Sequence, residues 1–377
     1  MDFGTLLIHN GHDYEEKTGA LGVPVIQTST FAQADIDAHR EYDYARSGNP
    51  TRKALEDIIA QLEEGARGFA FGSGMAATSS VLGIFSAGDH IVACEDIYGG
   101  TWRILNTFYQ RFGLEATLVD TTDPANIKAA IKPNTKALFL ETPSNPLLKI
   151  TDLRAACAIA KEHGLVTIVD NTFATPYLQR PLELGADIVV HSATKFLGGH
   201  SDVILGLAVT TTEALGRRVY AVQNGFGAVP APWDIWLAIR GIKTLKVRLD
   251  AEQKTAGEVV RRLAGHPNVA AVYYPGLETH PGAAIHAQQA QGGGAVLAFK
   301  TKTVQAARQF LKKTRLAAPA VSLGGVETIA SYPVTMSHAS MPQAERDRRG
   351  ITDTLIRISC GLESAEDLIA DFEQALS

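Results

Sequence analysis

The feature that most constrains this chain is a series of short apolar runs, each too short for a helix, set between stretches with helical periodicity. The runs are Gly68–Phe71, His90–Ala93, Ala137–Leu140, Val166–Val169, Ile188–Val190 and Leu205–Val209. Continuous apolar runs of this length read as strands buried on both faces. Their alternation with helices predicts an α/β fold, with a mostly parallel central sheet flanked by helices.

The first helix is expected directly ahead of the first strand. Asn49 suits the N-cap and Pro50 the first helical position, and Leu55, Ile58, Ile59 and Leu62 fall on one face. Residues 1–48 show no sustained periodicity. Near Gly225–Pro232 the chain turns Gly- and Pro-rich, and a long helical pattern then runs from Trp233 to about Leu263. The last hundred residues mix short strands with helices and end in an acidic helix, Ser364–Leu376. The expected organisation is an N-terminal arm (1–48), a large α/β domain (49–240) and a smaller α+β C-terminal domain (241–377). No internal repeat or low-complexity segment is visible.

Composition narrows the function classes. The 377 residues are 45% hydrophobic and 20% charged, with a formal net charge of −5 and no basic run. Nucleic acid and membrane surfaces are therefore not expected partners. No apolar run reaches the roughly 20 residues of a membrane span, and the N-terminus carries no secretory pattern, so a cytoplasmic protein is expected. Cys94, Cys157 and Cys360 are far apart and form no CxxC pair. Buried free thiols are expected, with no disulfide framework and no metal site.

Three segments carry chemistry. Gly72-Ser-Gly-Met-Ala-Ala77 follows one strand and opens a helix, where small residues let backbone N–H groups approach a phosphate. It also fits the G-x-G-x-x-A dinucleotide pattern, with Glu95 near the position of the ribose acid. Asp170 ends an apolar run, as a helix cap or as a partner for a protonated ring nitrogen. His191-Ser-Ala-Thr-Lys195 sets two hydroxyls, Ser192 and Thr194, beside a lysine at another strand end, followed by Gly198-Gly199. The hydroxyls can donate to phosphate oxygens, and a partly desolvated lysine amine suits Schiff-base chemistry.

These segments, in this order, resemble the fold type I pyridoxal-phosphate (PLP) transferases, and the wider sequence resembles the Cys/Met-metabolism (transsulfuration) family among them. The matching stretches are Tyr44-Ala-Arg-Ser-Gly-Asn-Pro-Thr51, Ser73-Gly-Met75, Asp96-Ile-Tyr-Gly-Gly-Thr101, Glu141-Thr-Pro-Ser-Asn-Pro146, Asp170-Asn171, Ser192-Ala-Thr-Lys195, Ser322-Leu-Gly-Gly325 and Leu355-Ile-Arg-Ile-Ser359.

The resemblance implies pyridoxal 5′-phosphate as cofactor and assigns roles. Lys195 is the Schiff-base lysine and proton carrier, and Tyr98 is the ring stacked on the cofactor. Asp170 partners the pyridine nitrogen. Gly74, Met75, Ser192 and Thr194 form the phosphate cradle, which Tyr44 and Arg46 complete from a neighbouring subunit. Arg357 clamps the substrate carboxylate, supported by Asn145 and the Ser322 backbone. Arg357 faces away from Ile356 and Ile358, which by itself fits a cleft or solvent equally. Asp43 is a candidate for the distal ammonium of the substrate. The implied reaction is carbon–sulfur cleavage of the thioether cystathionine by β-elimination, with γ-elimination or γ-replacement as the alternative. The γ members often carry Glu where Val321 stands, and methionine-cleaving members usually carry Cys where Gly100 stands. A homo-oligomer, a dimer of dimers, is the implied assembly.

Overall fold

The computed structural model describes residues 1–10 and 15–377. Seven strands form the larger sheet: β1 Arg67–Phe71, β2 His90–Cys94, β3 Glu115–Val119, β4 Thr135–Glu141, β5 Val166–Asp170, β6 Ile188–Ser192 and β7 Gly206–Thr210. Their spatial order is β1-β7-β6-β5-β4-β2-β3. Alternate side chains along each strand enter two separate cores. Ala70, Val92, Leu138, Val169 and Val189 lie in one, and Phe69, Ile91, Phe139, Ile168 and Ile188 in the other. Both faces are thus covered, which is why the strands read as unbroken apolar runs.

Two features depart from the sequence reading. β7 runs antiparallel to both β6 and β1. A parallel return needs a crossover, usually helical, whereas residues 193–205 contain no helix and turn back on themselves. Lys195 sits on that reversal. β3 was not expected from the sequence. It is an edge strand whose first residue is exposed and whose others are half-buried, so it shows no continuous apolar run.

A second sheet of five strands has the order β10-β11-β12-β9-β8, built from β8 Val269–Tyr273, β9 Val296–Thr301, β10 Ala318–Pro319, β11 Ile329–Ser331 and β12 Leu355–Ser359. The helices Leu245–Ala264, Val304–Lys313 and Ala365–Leu376 pack against this sheet or one another. The long helical pattern after Gly225–Pro232 is two helices, Pro232–Ile242 and Leu245–Ala264. At the break the Thr244 hydroxyl bonds the Gly241 carbonyl (3.1 Å), a local bond that competes with helix continuation. The N-terminal arm also contains a helix, Phe3–Ile8, capped by Asp2 and seated through the buried Leu7. No helix among the described residues is long and apolar enough to cross a membrane, and the three cysteines are free and buried.

The helix Pro50–Leu62 forms as its caps and stripe predict. Asn49 accepts from the N–H groups of Thr51 and Arg52, and Leu55, Ile58, Ile59 and Leu62 are fully buried. This cap also ties down the arm, because Asn49 Nδ2 donates to the Ile26 carbonyl (2.9 Å). Replacing Asn49 with Ala removes the cap and that tie together. The expected loss in unfolding free energy is about 1–2 kcal/mol, measured by denaturant titration at fixed protein concentration.

Candidate active site

The carboxyl ends of β4, β5 and β6 face the Ser322 turn and β12 across a cavity of about 620 Å³. Its walls bring together Gly74, Met75, Tyr98, Asn145, Asp170, Ser192, Thr194, Lys195, Ser322 and Arg357. These residues come from all three of the chemistry-bearing segments, from the stretches around Tyr98 and Asn145, and from the last third of the chain.

The floor begins at Ser73, which caps the helix Gly74–Leu82 by accepting from Ala76 N (3.0 Å). A Cβ at Gly74 would stand 2.7 Å from the Ser192 Cβ, so only glycine allows this helix start to reach β6. Ser192 is held from below, its N–H donating to Thr172 Oγ1 (2.9 Å). Thr194 faces the cavity with its hydroxyl engaged, accepting from Leu205 N (3.0 Å) and donating to Leu205 O (3.3 Å).

Lys195 donates to Ser322 Oγ at 2.5 Å. Burial, and then the nearby Arg357 charge, push its amine down to about 8. Part of it is therefore the free base near neutral pH. Arg357 is 2% exposed and donates to Asn145 Oδ1 (2.9 Å), the Ser322 carbonyl (2.6 Å) and Ser331 Oγ (3.1 Å). Burial pushes it down to about 10. Its partners are dipoles, not carboxylates, and its Nε has no hydrogen-bond partner among the described residues. Ser322 receives both cations from a left-handed backbone conformation (φ +86°).

Asp170 accepts from Thr172 N at 3.0 Å, and burial raises its pKa. Tyr98 is partly exposed, and its backbone N–H donates to Glu141 Oε2 (2.9 Å). A Cβ at Gly100 would lie 2.4 Å from the Tyr98 ring and 2.8 Å from Met75 Sδ, so the glycine leaves room for the ring.

Glu141 and Arg103, to which the sequence resemblance assigns no role, also line the cavity. Glu141 opens a motif already quoted, and its position at a strand end was the available signal. Three expected residues do not line the cavity of their own chain. Arg46 donates to the Asn224 carbonyl (3.3 Å), with its guanidinium 5.5 Å from the Tyr44 ring centre. Asp43 is exposed on the arm, its carbonyl accepting from Phe31 N (2.8 Å).

The sequence profile of the Cys/Met metabolism PLP-dependent enzymes matches residues 4–377. The chain belongs to that family. Its cofactor is pyridoxal phosphate. The chain is 54% identical to a cystathionine β-lyase of Bacillus subtilis, covering 99% of this chain and 95% of that protein. It is 50% identical to a cystathionine γ-lyase of the same organism, covering 99% and 98%. A crystal structure of cystathionine γ-lyase from Lactobacillus plantarum, in complex with L-serine, superposes with a TM-score of 0.98 at 47% identity, covering 100% and 98%.

The cavity fits a PLP-family cofactor. It offers an amine at Lys195, a half-buried carboxyl at Asp170, an aromatic face at Tyr98 and a helix start with no Cβ at Gly74. The cradle is the most exacting of these features. Gly74→Ala should push the helix start off Ser192 and weaken cofactor affinity about tenfold or more, the equivalent of about 1.4 kcal/mol. Fluorescence titration of the apoenzyme with pyridoxal phosphate measures the change.

Proposed function

We propose that this chain is a carbon–sulfur lyase that cleaves cystathionine by β-elimination to homocysteine, pyruvate and ammonia. One observation carries the reading. Lys195 and Arg357 meet at Ser322, one through the hydroxyl and the other through the carbonyl, and both face Asp170 across one cavity. A guanidinium buried without a carboxylate partner is suited to bind a substrate α-carboxylate bidentately. A carboxylate held there brings the adjacent Cα–H towards the Lys195 amine.

When bound, pyridoxal phosphate supplies an electron sink for the pair left at Cα. Asp170 holds a proton on the ring nitrogen, which keeps that sink effective. Lys195, depressed to about 8, takes the α-proton as general base and can return a proton to the departing sulfur. The Cβ–S bond breaks, homocysteine leaves, and one water is consumed as the remaining three-carbon unit becomes pyruvate and ammonia. Tyr98 would shield the ring face, and Gly74, Met75, Ser192 and Thr194 would hold the phosphate. Val321 supports β- over γ-chemistry: it lines the same cavity at the position where γ members often carry Glu.

The reading extends to assembly and compartment. Tyr44, Arg46 and Asp43 lie off their own chain's cavity, as residues serving a neighbouring subunit would. The N-terminal arm (1–48) is then a subunit-crossing element, and the cleft lies between the large domain (49–240) and the C-terminal domain (241–377). A homodimer is the smallest active unit, and closed symmetry doubles it to a tetramer. Three free buried thiols favour a reducing, cytoplasmic setting.

Incubation with cystathionine alone tests the reaction. Pyruvate with homocysteine is expected; 2-oxobutyrate with cysteine would place the enzyme among the γ-lyases. Lys195→Ala should abolish turnover and the visible absorbance of the Schiff base, and substantial elimination by the variant would remove Lys195 from its role. Mixing Arg46→Ala subunits with Lys195→Ala subunits tests the shared site. Activity should reappear after subunit exchange, because some mixed dimers hold one intact site. Exchange confirmed by mass with activity still at the parental background would show that Arg46 serves its own chain.

A further inference from the structure

Glu141 is a buried carboxyl that the reaction above does not use. It ends β4, and its register partner on β5 is Asp170, so the two carboxyls leave neighbouring strands into one cavity. Paired positions on neighbouring strands lie about 4.8 Å apart. Two like charges so close, and out of water, are not both ionised at low cost. The groups facing Glu141 sharpen the conflict. Asp170 comes from β5, and Asp96 and Cys94 from the end of β2. Asp96 is itself buried and pushed up to about 6, so it is mostly a second negative charge at neutral pH. The Arg357 charge reaches Glu141, but the two share no hydrogen bond among the described residues.

The bonding pattern separates the two acids. Asp170 accepts from the Thr172 N–H and opens towards the cavity, where a ring nitrogen needs a charged partner. Glu141 accepts instead from the backbone N–H groups of Tyr98 and Asn145. Those two residues carry the aromatic ring and the Arg357 support. Glu141 makes no ion pair among the described residues, and burial followed by the Asp170 charge holds its carboxyl well above the usual carboxylate range.

We propose that Glu141 is a positioning residue that works as a neutral acid: it leaves the negative charge facing the cofactor ring to Asp170 and anchors the Tyr98 turn and Asn145 through their backbones. This rests on the cavity being the pyridoxal-phosphate site. A purely structural anchor accepts the same two N–H bonds in either protonation state, so the protonation state itself must be read.

The test compares wild-type and Glu141→Gln holoenzymes at pH 7 by infrared difference spectroscopy. Wild type should show a protonated carboxyl C=O stretch that the variant lacks. Glutamine copies the neutral shape, so cofactor affinity and kcat should stay within about threefold, the scale of one exchanged neutral hydrogen bond. Glu141→Ala, which frees the turn, should lower kcat about 10²-fold, the scale of a misplaced catalytic group. A difference spectrum holding only ionised-carboxylate bands would overturn the proposal, as would a Gln variant as impaired as Ala. If Glu141→Gln does not fold, the pH titration of the same band in Asp170→Asn decides. Removing the neighbouring charge should move the band's loss to lower pH, and an unmoved titration overturns the idea. Wild type without visible Schiff-base absorbance would instead sink the cofactor reading, whereas intact absorbance without the carboxyl band sinks only the role of Glu141.

Discussion

Positive charge taken out of water without an opposite charge beside it sets the terms for the whole cleft. Lys195 and Arg357 are both in that condition, and the hydroxyls, carbonyl and amide that receive them are dipoles only. Removing an ion from water costs several kcal/mol even after relaxation, and dipoles offset only part of it. The cost is visible in the depressed values of about 8 for the lysine and about 10 for the arginine. In the proposed reaction a substrate carboxylate supplies the missing charge at Arg357. A carbonyl compound that captures the neutral amine removes the other unpaired cation. The free protein is therefore strained electrostatically towards the ligands it handles.

Such a cleft works only if its groups cannot relax away from one another, and the fold prevents this. Ser322, which receives both cations, sits at φ +86°, a conformation rarely adopted by residues other than glycine. Two residues on, a Cβ at Gly324 would fall 2.6 Å from Phe196 N, so this turn is pressed against the segment carrying Lys195. On the opposite side of the larger sheet, a buried polar network links the strand ends. His191 Nε2 and Glu63 Oε1 are 2.6 Å apart, and Asn171 donates to the same carboxylate oxygen (3.1 Å). Gln179 bridges Asn171 to the Thr142 carbonyl. Residues just past or at the ends of β4, β5 and β6 are thus fixed relative to one another from behind. The network is satisfied only in part, since Glu63 Oε2, His191 Nδ1 and Gln179 Oε1 have no hydrogen-bond partner among the described residues, and it is the bonds it does make that tie these strand ends together.

The sequence made most of this legible, for physical reasons. Strands covered on both faces produce unbroken apolar runs, so six of the seven strands in the larger sheet were found. β3 escaped because an edge strand is half wet. The direction of β7 was hidden because an apolar run carries no sign of its orientation; only the helix-free Lys195 loop before it does. The pattern after Trp233 looked continuous because its apolar periodicity carries across the break, where the one local mark is the Thr244 hydroxyl bonding the Gly241 carbonyl. In the site, motifs exposed Lys195, Asp170 and Arg357. The Ser322 turn was noticed for its backbone, whereas its hydroxyl proved to be the partner of Lys195. Glu141 stayed hidden because a strand-end acid reads as a cap or a surface charge until the neighbouring strand places Asp170 beside it.

The same geometry explains why the groups that do the chemistry do not by themselves choose the bond that breaks. Lys195 can remove the proton at Cα and, in a γ-elimination, also the one at Cβ, so its position serves either outcome. Choice must come from how the distal half of the substrate is held, and that half lies towards the rim. There the chain presents the exposed apolar side chains Val321 and Ile204, together with Arg103, which forms no ion pair among the described residues. Among the described residues no carboxylate of the same chain lines that rim; the two that line the cavity are the buried Glu141 and the half-buried Asp170, both at strand ends. Among the described residues a distal ammonium therefore finds no counter-charge at the rim of its own subunit, and a distal carboxylate does. In the proposed assembly the acid that would meet that ammonium is Asp43, exposed on the arm of a neighbouring chain. On that proposal selectivity at the rim and the assembly of subunits are one question, because a neighbouring arm would complete the surface that reads the far end of the substrate.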